Sequence, residues 1–153
     1  MRDWSLASLA GLGSAALLGG ALFFQYVVGL APCELCILQR WPHLVAFILG
    51  IVVWFVPQAW LMALGAAAAA TASGLGVYHT GVERGWWEGP THCSGTLDLS
   101  TLSPQQALEA IMQAPVVRCT DVAWEMLGLS MASWNAILSA GLVAVWLIAM
   151  RRA

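Results

Sequence analysis

The chain has 153 residues, 60% of them hydrophobic and 9% charged, with a net charge of −2. Soluble domains carry about 25% charged residues, so this chain lacks the polar surface to cover a globule in water. Its weak acidity gives no support to a nucleic-acid partner. The lipid bilayer is the solvent that suits it, and the length suits one integral membrane domain over residues 1–153.

The first stretch without a charge runs from Trp4 to Cys33 and is almost wholly apolar from Leu6 to Leu30. A spanning helix needs about 20 such residues, whereas the apolar core of a secretory signal is roughly 7–15 long. Pro32 also stands where lipoprotein cleavage would want a small residue, so a retained helix over about 5–30 is predicted. The next such stretch, Trp41 to Val82, holds two helices, because Pro57-Gln58 divides it. They are predicted over about 41–56 and 59–79, and a last one over about 131–150. Loops of about 31–40 and 80–130 remain.

Trp4, Trp41, Trp54, Trp60, Trp86, Trp87, Trp124 and Trp134 fall near the ends of these spans, as an interfacial belt requires. Small residues recur at four-residue spacing in Gly11, Ala15 and Gly19 and in Ala66, Ala70 and Gly74, a pattern that predicts close helix packing there. Arg2, Arg151 and Arg152 place both termini in the cytoplasm, as four spans demand of a shared side. Arg40, Arg84 and Arg118 lie on the other side and tie a bare arginine count, but the outer segments are longer, where the rule weakens. Within the long loop, Ser103-Pro104-Gln105-Gln106 offers an N-cap, a first-turn proline and a capping-box glutamine. Ala107, Leu108, Ile111 and Met112 then give an apolar stripe, suited equally to the membrane surface or to other loop residues. Gly95–Ser103 and Ala114-Pro115 read as irregular. The expected fold is therefore an all-α membrane protein, a bundle of four transmembrane helices with a long periplasmic loop carrying a short amphipathic helix.

Four cysteines lie in the two outer loops, Cys33 and Cys36 in one, Cys93 and Cys119 in the other. With the termini cytoplasmic, all four face an oxidising compartment, where an even number points to disulfides. Cys93 and Cys119 suit a loop staple or a redox pair. In Cys33-Glu34-Leu35-Cys36 a bridge would close so short a loop that it removes little chain entropy, which makes it a poor staple and a good redox couple. The reacting species is the thiolate. A helix beginning here supplies N-terminal dipoles, and Arg40, four residues after Cys36, shares its face on helical geometry. An ordinary interfacial arginine is the plain alternative, and Pro42 makes the shared face conditional. Metal binding is the chemical rival, with His43, His79 and His92 available, but no second closely spaced ligand pair exists. No metal is therefore expected, and no histidine follows the Cys-x-x-Cys as c-type haem attachment needs.

Taken together, Cys33-Glu-Leu-Cys36-Ile-Leu-Gln-Arg40 at the second helix, Cys93 and Cys119 in the outer loop, and four spans resemble the disulfide-bond formation protein B (DsbB) family. The segments Tyr78-His-Thr-Gly-Val-Glu83, Trp86-Trp-Glu-Gly-Pro90, Val117-Arg-Cys119 and Gly128-Leu-Ser-Met-Ala-Ser-Trp-Asn135 are similar to proteobacterial members, so the likeness covers the whole chain.

The resemblance implies a protein-dithiol:quinone oxidoreductase of the bacterial inner membrane. A periplasmic thioredoxin-fold oxidase (DsbA-like) would attack Cys93. Cys119 would pair with Cys93 and exchange with Cys33. Cys36 would face ubiquinone or menaquinone, and Arg40 would stabilise negative charge on the quinone oxygen. The chain departs from better-known members at the start of the long loop, where Glu83 stands in place of a quinone-site histidine and His79 lies one turn earlier. Both are candidate quinone-site residues. A carboxylate suits an anionic quinone poorly, and Glu83 on a solvated face beside Arg84 is its plain alternative.

Overall fold

The computed structural model describes residues 3–90, 103–106, 109 and 117–152. Its framework is four helical spans long and apolar enough to cross a membrane, Trp4–Tyr26, Glu34–Phe55, Ala59–Glu83 and Met131–Arg152. In helices, these are α1 (Asp3–Tyr26), α2 (Glu34–Leu38) followed by α3 (Arg40–Phe55), α4 (Ala59–Glu83) and α5 (Met131–Arg152). Each satisfies its backbone internally, as lipid requires. They close a ring in which α1 packs on α3, α3 on α4, α4 on α5, and α5 back on α1.

The expected boundaries need three corrections. α1 ends at Tyr26 rather than near 30, with the Val27 and Val28 N–H groups still reaching back to the Phe23 carbonyl. Hydropathy marks what lipid will cover, and apolar residues continue past the point where the backbone leaves the helix. The second span begins at Glu34 rather than 41 and is interrupted at Gln39. Pro42 has no N–H to give the carbonyl of Leu38, and its ring crowds that carbonyl, which accounts for the break one residue later. α4 runs four residues past 79 and closes in a Schellman motif: Trp86 N–H bonds the Gly81 carbonyl and Gly85 N–H the Val82 carbonyl. Gly85, at φ 68°, supplies the left-handed residue this cap requires. The extra turn carries Glu83 into the bundle.

The predicted small-residue stripes hold at Gly11 and Ala66 and are corrected at Gly19 and Gly74. A Cβ on Gly19 or Gly74 would meet nothing within 4 Å, whereas one on Gly11 would lie 2.7 Å from Gly50 Cα, and one on Gly76 2.8 Å from Ala136 N. Four-residue spacing occurs on several faces of an Ala/Gly-rich helix, so it does not select the buried one. The buried stripe of α4 is Met62, Gly65, Ala66, Ala69, Ala72, Gly76 and His79. Gly11→Leu is expected to force α1 from α3 and cost roughly 1–3 kcal/mol or more, as overpacking does. Gly19→Leu should change little. Thermal unfolding in detergent checks this, and equal midpoints for the two variants would contradict the packing described.

At the far end of the bundle Ala7, Ala10, Val53, Met62, Ala69, Trp146 and Ala149 form the apolar core. At the end bearing the cysteines, a two-residue hairpin not foreseen from sequence, β1 (Glu125–Met126) with β2 (Leu129–Ser130), leads into α5. It is held by Trp134 Nε1, which donates to the Met126 carbonyl at 3.1 Å, and Trp124 leans on Phe24 of α1 with ring centroids 5.1 Å apart. In the long loop residues 104–106 are helical, and the expected capping box is formed. Gln106 N–H faces Ser103 Oγ at 3.4 Å, and Ser103 N–H donates to Gln106 Oε1 at 3.1 Å. Ala107, Leu108, Ile111 and Met112, like Gly95–Leu102 and Ala114-Pro115, lie outside the described residues.

Candidate redox site

Cys33 is the N-cap of α2: its Sγ accepts from the Cys36 N–H at 3.2 Å and lies 3.0 Å from Cys36 Sγ, to which it donates. Both thiols are free. The helix start thus acts on Cys33, through a backbone N–H, while Cys36 accepts from its neighbour. The Cys33 thiol is pushed well above its ordinary range, chiefly by this hydrogen bond to Cys36 and then by burial and the charge on Cys36. Of the two sulfurs, Cys33 is the donor and Cys36 the acceptor.

Cys36 and Arg40 line one cavity of about 430 Å³ between α1, the α2–α3 junction, α4, α5 and the segment 117–126. The break at Gln39 bends the helix but leaves both side chains facing this space. Its volume falls in the roughly 300–1,000 Å³ range of small-molecule sites. Leu17, Ala21, Phe24, Leu30, Trp124 and Leu138 give it apolar walls. Three lining residues, Gln25, Arg40 and His43, each hold a buried polar atom without a partner among the described residues: Oε1, Nε and Nδ1 respectively.

Cys119 is disulfide-bonded and fully buried. It shares one small cluster with Cys33, Leu35 and Val82, against which Cys36 and Val117 pack. Cys93, expected to be its partner, lies outside the described residues, as does His92.

His79 reaches the first cysteine pair, with Nε2 3.5 Å from Cys33 Sγ. Glu83, one turn on, is turned inward with its side chain only 7% exposed, and its Oε1 stands 3.9 Å from His79 Nε2. Ser130 Oγ donates to its other oxygen. The solvated alternative for Glu83 is thereby corrected, and Arg84 sits instead over the Trp86 ring at 5.5 Å. Both α4 residues line the cavity, as does Cys33. Cys33, Cys36 and His79 also bring three ligand-type atoms within 4.8 Å of one another, a grouping that the linear spacing of histidines and cysteines did not reveal.

Sequence reasoning missed the polar chain behind these groups. Gln39 Nε2 contacts the Leu35 carbonyl at 3.1 Å and His79 Nδ1 at 2.9 Å, and its Oε1 accepts from Asn135 Nδ2 at 2.6 Å. Asn135 Oδ1 accepts from His43 Nε2 at 2.8 Å and from Ser139 Oγ at 3.3 Å. The available signal was the presence of Gln39, His43, Asn135 and Ser139 inside or beside otherwise apolar spans, where polar groups are costly unless paired.

A four-helix membrane bundle with a vicinal dithiol over an internal cavity, and a disulfide packed behind it, is the architecture of an integral membrane protein of disulfide chemistry. A family model described as disulfide bond formation protein DsbB matches residues 3–149, and the chain belongs to that family. Among its relatives, disulfide bond formation protein B of Polaromonas naphthalenivorans is 33% identical over 152 residues, covering 94% of this chain and 90% of that one. The protein of the same name from Stutzerimonas stutzeri is 30% identical over 157 residues, covering 96% and 95%. That of Polaromonas sp. is 29% identical over 155 residues, covering 95% and 92%. No solved structure matches the chain.

Proposed function

We propose that the protein reoxidises a periplasmic thioredoxin-fold dithiol oxidase (DsbA-like) and passes the electrons to a membrane quinone, ubiquinone or menaquinone. The termini lie in the cytoplasm and the cysteines at the periplasmic face of the bacterial inner membrane. One observation carries the reading: the Cys33–Cys36 dithiol touches both the cavity and the cluster that holds Cys119. Electrons entering at Cys93–Cys119 therefore have a sulfur-to-sulfur route to Cys36. A quinone fits the cavity, whose walls are apolar and whose unpartnered Arg40 Nε offers a donor to a carbonyl oxygen. When bound, the quinone supplies the two-electron sink.

The chain's own residues do the rest. The partner dithiol exchanges with the Cys93–Cys119 disulfide, and Cys119 then exchanges with Cys33–Cys36, releasing Cys36 as the thiolate beside the cavity. Arg40 holds a permanent positive charge there. Phe24 and Trp124, in ring contact with each other, wall it on the apolar side.

The test is quinone reduction by purified protein with reduced DsbA-type oxidase as donor. Cys36→Ser is expected to abolish turnover and to leave a single stoichiometric round of thiol exchange at Cys93–Cys119. Undiminished turnover in that variant would end the proposal.

A further inference from the structure

We propose that His79 is a further catalytic residue, a fixed N–H donor to the Cys33 sulfur that stabilises the charge this sulfur carries when it leaves a disulfide. The inference rests on the thiol-exchange reading above and assigns a role on sulfur, distinct from contact with quinone.

Two backbone carbonyls decide which way the polar chain runs. A carbonyl can only accept, so the Gln39 atom 3.1 Å from Leu35 O is the amide nitrogen. The Asn135 atom 3.4 Å from Ala72 O is likewise nitrogen, which agrees with Asn135 Nδ2 donating to Gln39 Oε1. The second N–H of Gln39 then points at His79 Nδ1, 2.9 Å away, and that nitrogen must be the bare acceptor. A neutral imidazole with bare Nδ1 carries its proton on Nε2. The neighbours of Nε2 all suit a donor: Cys33 Sγ at 3.5 Å and Glu83 Oε1 at 3.9 Å. The Cys119 backbone makes a hydrogen-bonding contact with the same ring. His79 therefore stands between the first cysteine pair and the backbone of the second.

This polarity rejects two other uses of the same atoms. As a base, His79 would have to accept the Cys33 proton on a nitrogen that already bears one. As a ligand to a soft divalent ion with Cys33 and Cys36, it would bind through Nε2 and need its proton on Nδ1, where Gln39 presents an N–H.

The donor acts in one step. When an attacking thiolate cuts a disulfide joining Cys33 to Cys119, the new S–S bond forms at Cys119 and the old bond's electron pair stays on Cys33 Sγ. No net oxidation occurs. Charged and titratable groups lining the cavity with that sulfur are Cys36 on α2, Arg40 on α3, His79 and Glu83 on α4, and Arg118 and Asp121 on the segment that carries Cys119. Of these, His79 alone offers it a side-chain N–H at hydrogen-bonding distance among the described residues.

Two measurements test the assignment without partner or quinone, so their failure is separable from failure of the quinone reading. In the full-length chain with Cys33 as sole cysteine (Cys36→Ser, Cys93→Ser, Cys119→Ser), alkylation of Cys33 is followed against pH. Adding His79→Leu should move the profile toward higher pH and slow alkylation at neutral pH on the order of tenfold, the equivalent of about one pKa unit. His79→Gln, which can offer an amide N–H in the same direction, should recover most of that loss. Coincident profiles for the parent and His79→Leu would overturn the proposal. If His79→Leu does not assemble, the histidine-labelled nitrogen NMR spectrum of the unaltered chain decides, with His79→Gln assigning the signal. The expected spectrum has the His79 proton on Nε2, and a proton on Nδ1 would overturn the proposal.

Discussion

Arg40→Met should slow quinone reduction on the order of 10²–10³-fold, the usual loss when a preorganised donor to a developing oxyanion is removed. Methionine keeps much of the apolar stem and deletes the charge, so packing against the cavity wall is largely retained. Arg40 Nε is buried with no partner among the described residues, which means its desolvation is already in place before any ligand arrives. A donor so prepared is worth more to an oxygen that gains charge than to a neutral carbonyl. The loss should therefore appear mainly in kcat, with a smaller change in the quinone KM. Exchange with the partner protein, at Cys93–Cys119, should continue for one round. Arg40→Lys should fall between, because a lysine is a point charge without the planar fork. Turnover by Arg40→Met within a few-fold of the unaltered protein would remove Arg40 from the quinone site.

Arg40 and the Cys33–Cys36 pair stand out in the sequence because residue type and short spacing carry that signal, and the structure lines one cavity with all three. The four spans were equally legible, since lipid penalises every exposed polar group and so writes long apolar runs into the chain. Local turns were less so. The end of α4 at Glu83 depends on Gly85 in the left-handed region, and without that cap the pair of charges Glu83-Arg84 reads as the start of a loop. The placement of His79 on Cys33 joins residues from α4 and the α2 cap, a long-range meeting that no linear spacing encodes. Glu83 turned inward for a similar reason: its partner, Ser130, lies at the entry to α5. The stripe that packs α1 on α3 is read correctly at Gly11 but not at Gly19, because small residues occur on several faces of α1.

Asn135→Leu is expected to damage both stability and the cysteine site, although Asn135 touches neither sulfur. Its amide joins three spans: it donates to Gln39 Oε1 beside α3 and to Ala72 O on α4, and it accepts from His43 on α3. Leucine of similar size would leave Gln39 Oε1 without its donor and His43 Nε2 with only Ser139 Oγ, at 3.5 Å. Each such group costs about 1–3 kcal/mol in a protein interior. Membrane measurements nearer 0.6 kcal/mol per hydrogen bond pull the total down, because the unfolded chain in lipid finds partners too. A loss of about 1–3 kcal/mol is the expected balance, read as a lowered unfolding midpoint in detergent. The second consequence is chemical. Freed from Asn135, the Gln39 amide can rotate, and His79 is then no longer held with its proton toward Cys33. Asn135→Leu should therefore reproduce part of the slowed Cys33 alkylation of His79→Leu, and combining the two should add little further slowing, as for residues acting through one network. Fully additive effects on alkylation would mean that Asn135 supports only the fold and that the orientation of His79 is set elsewhere.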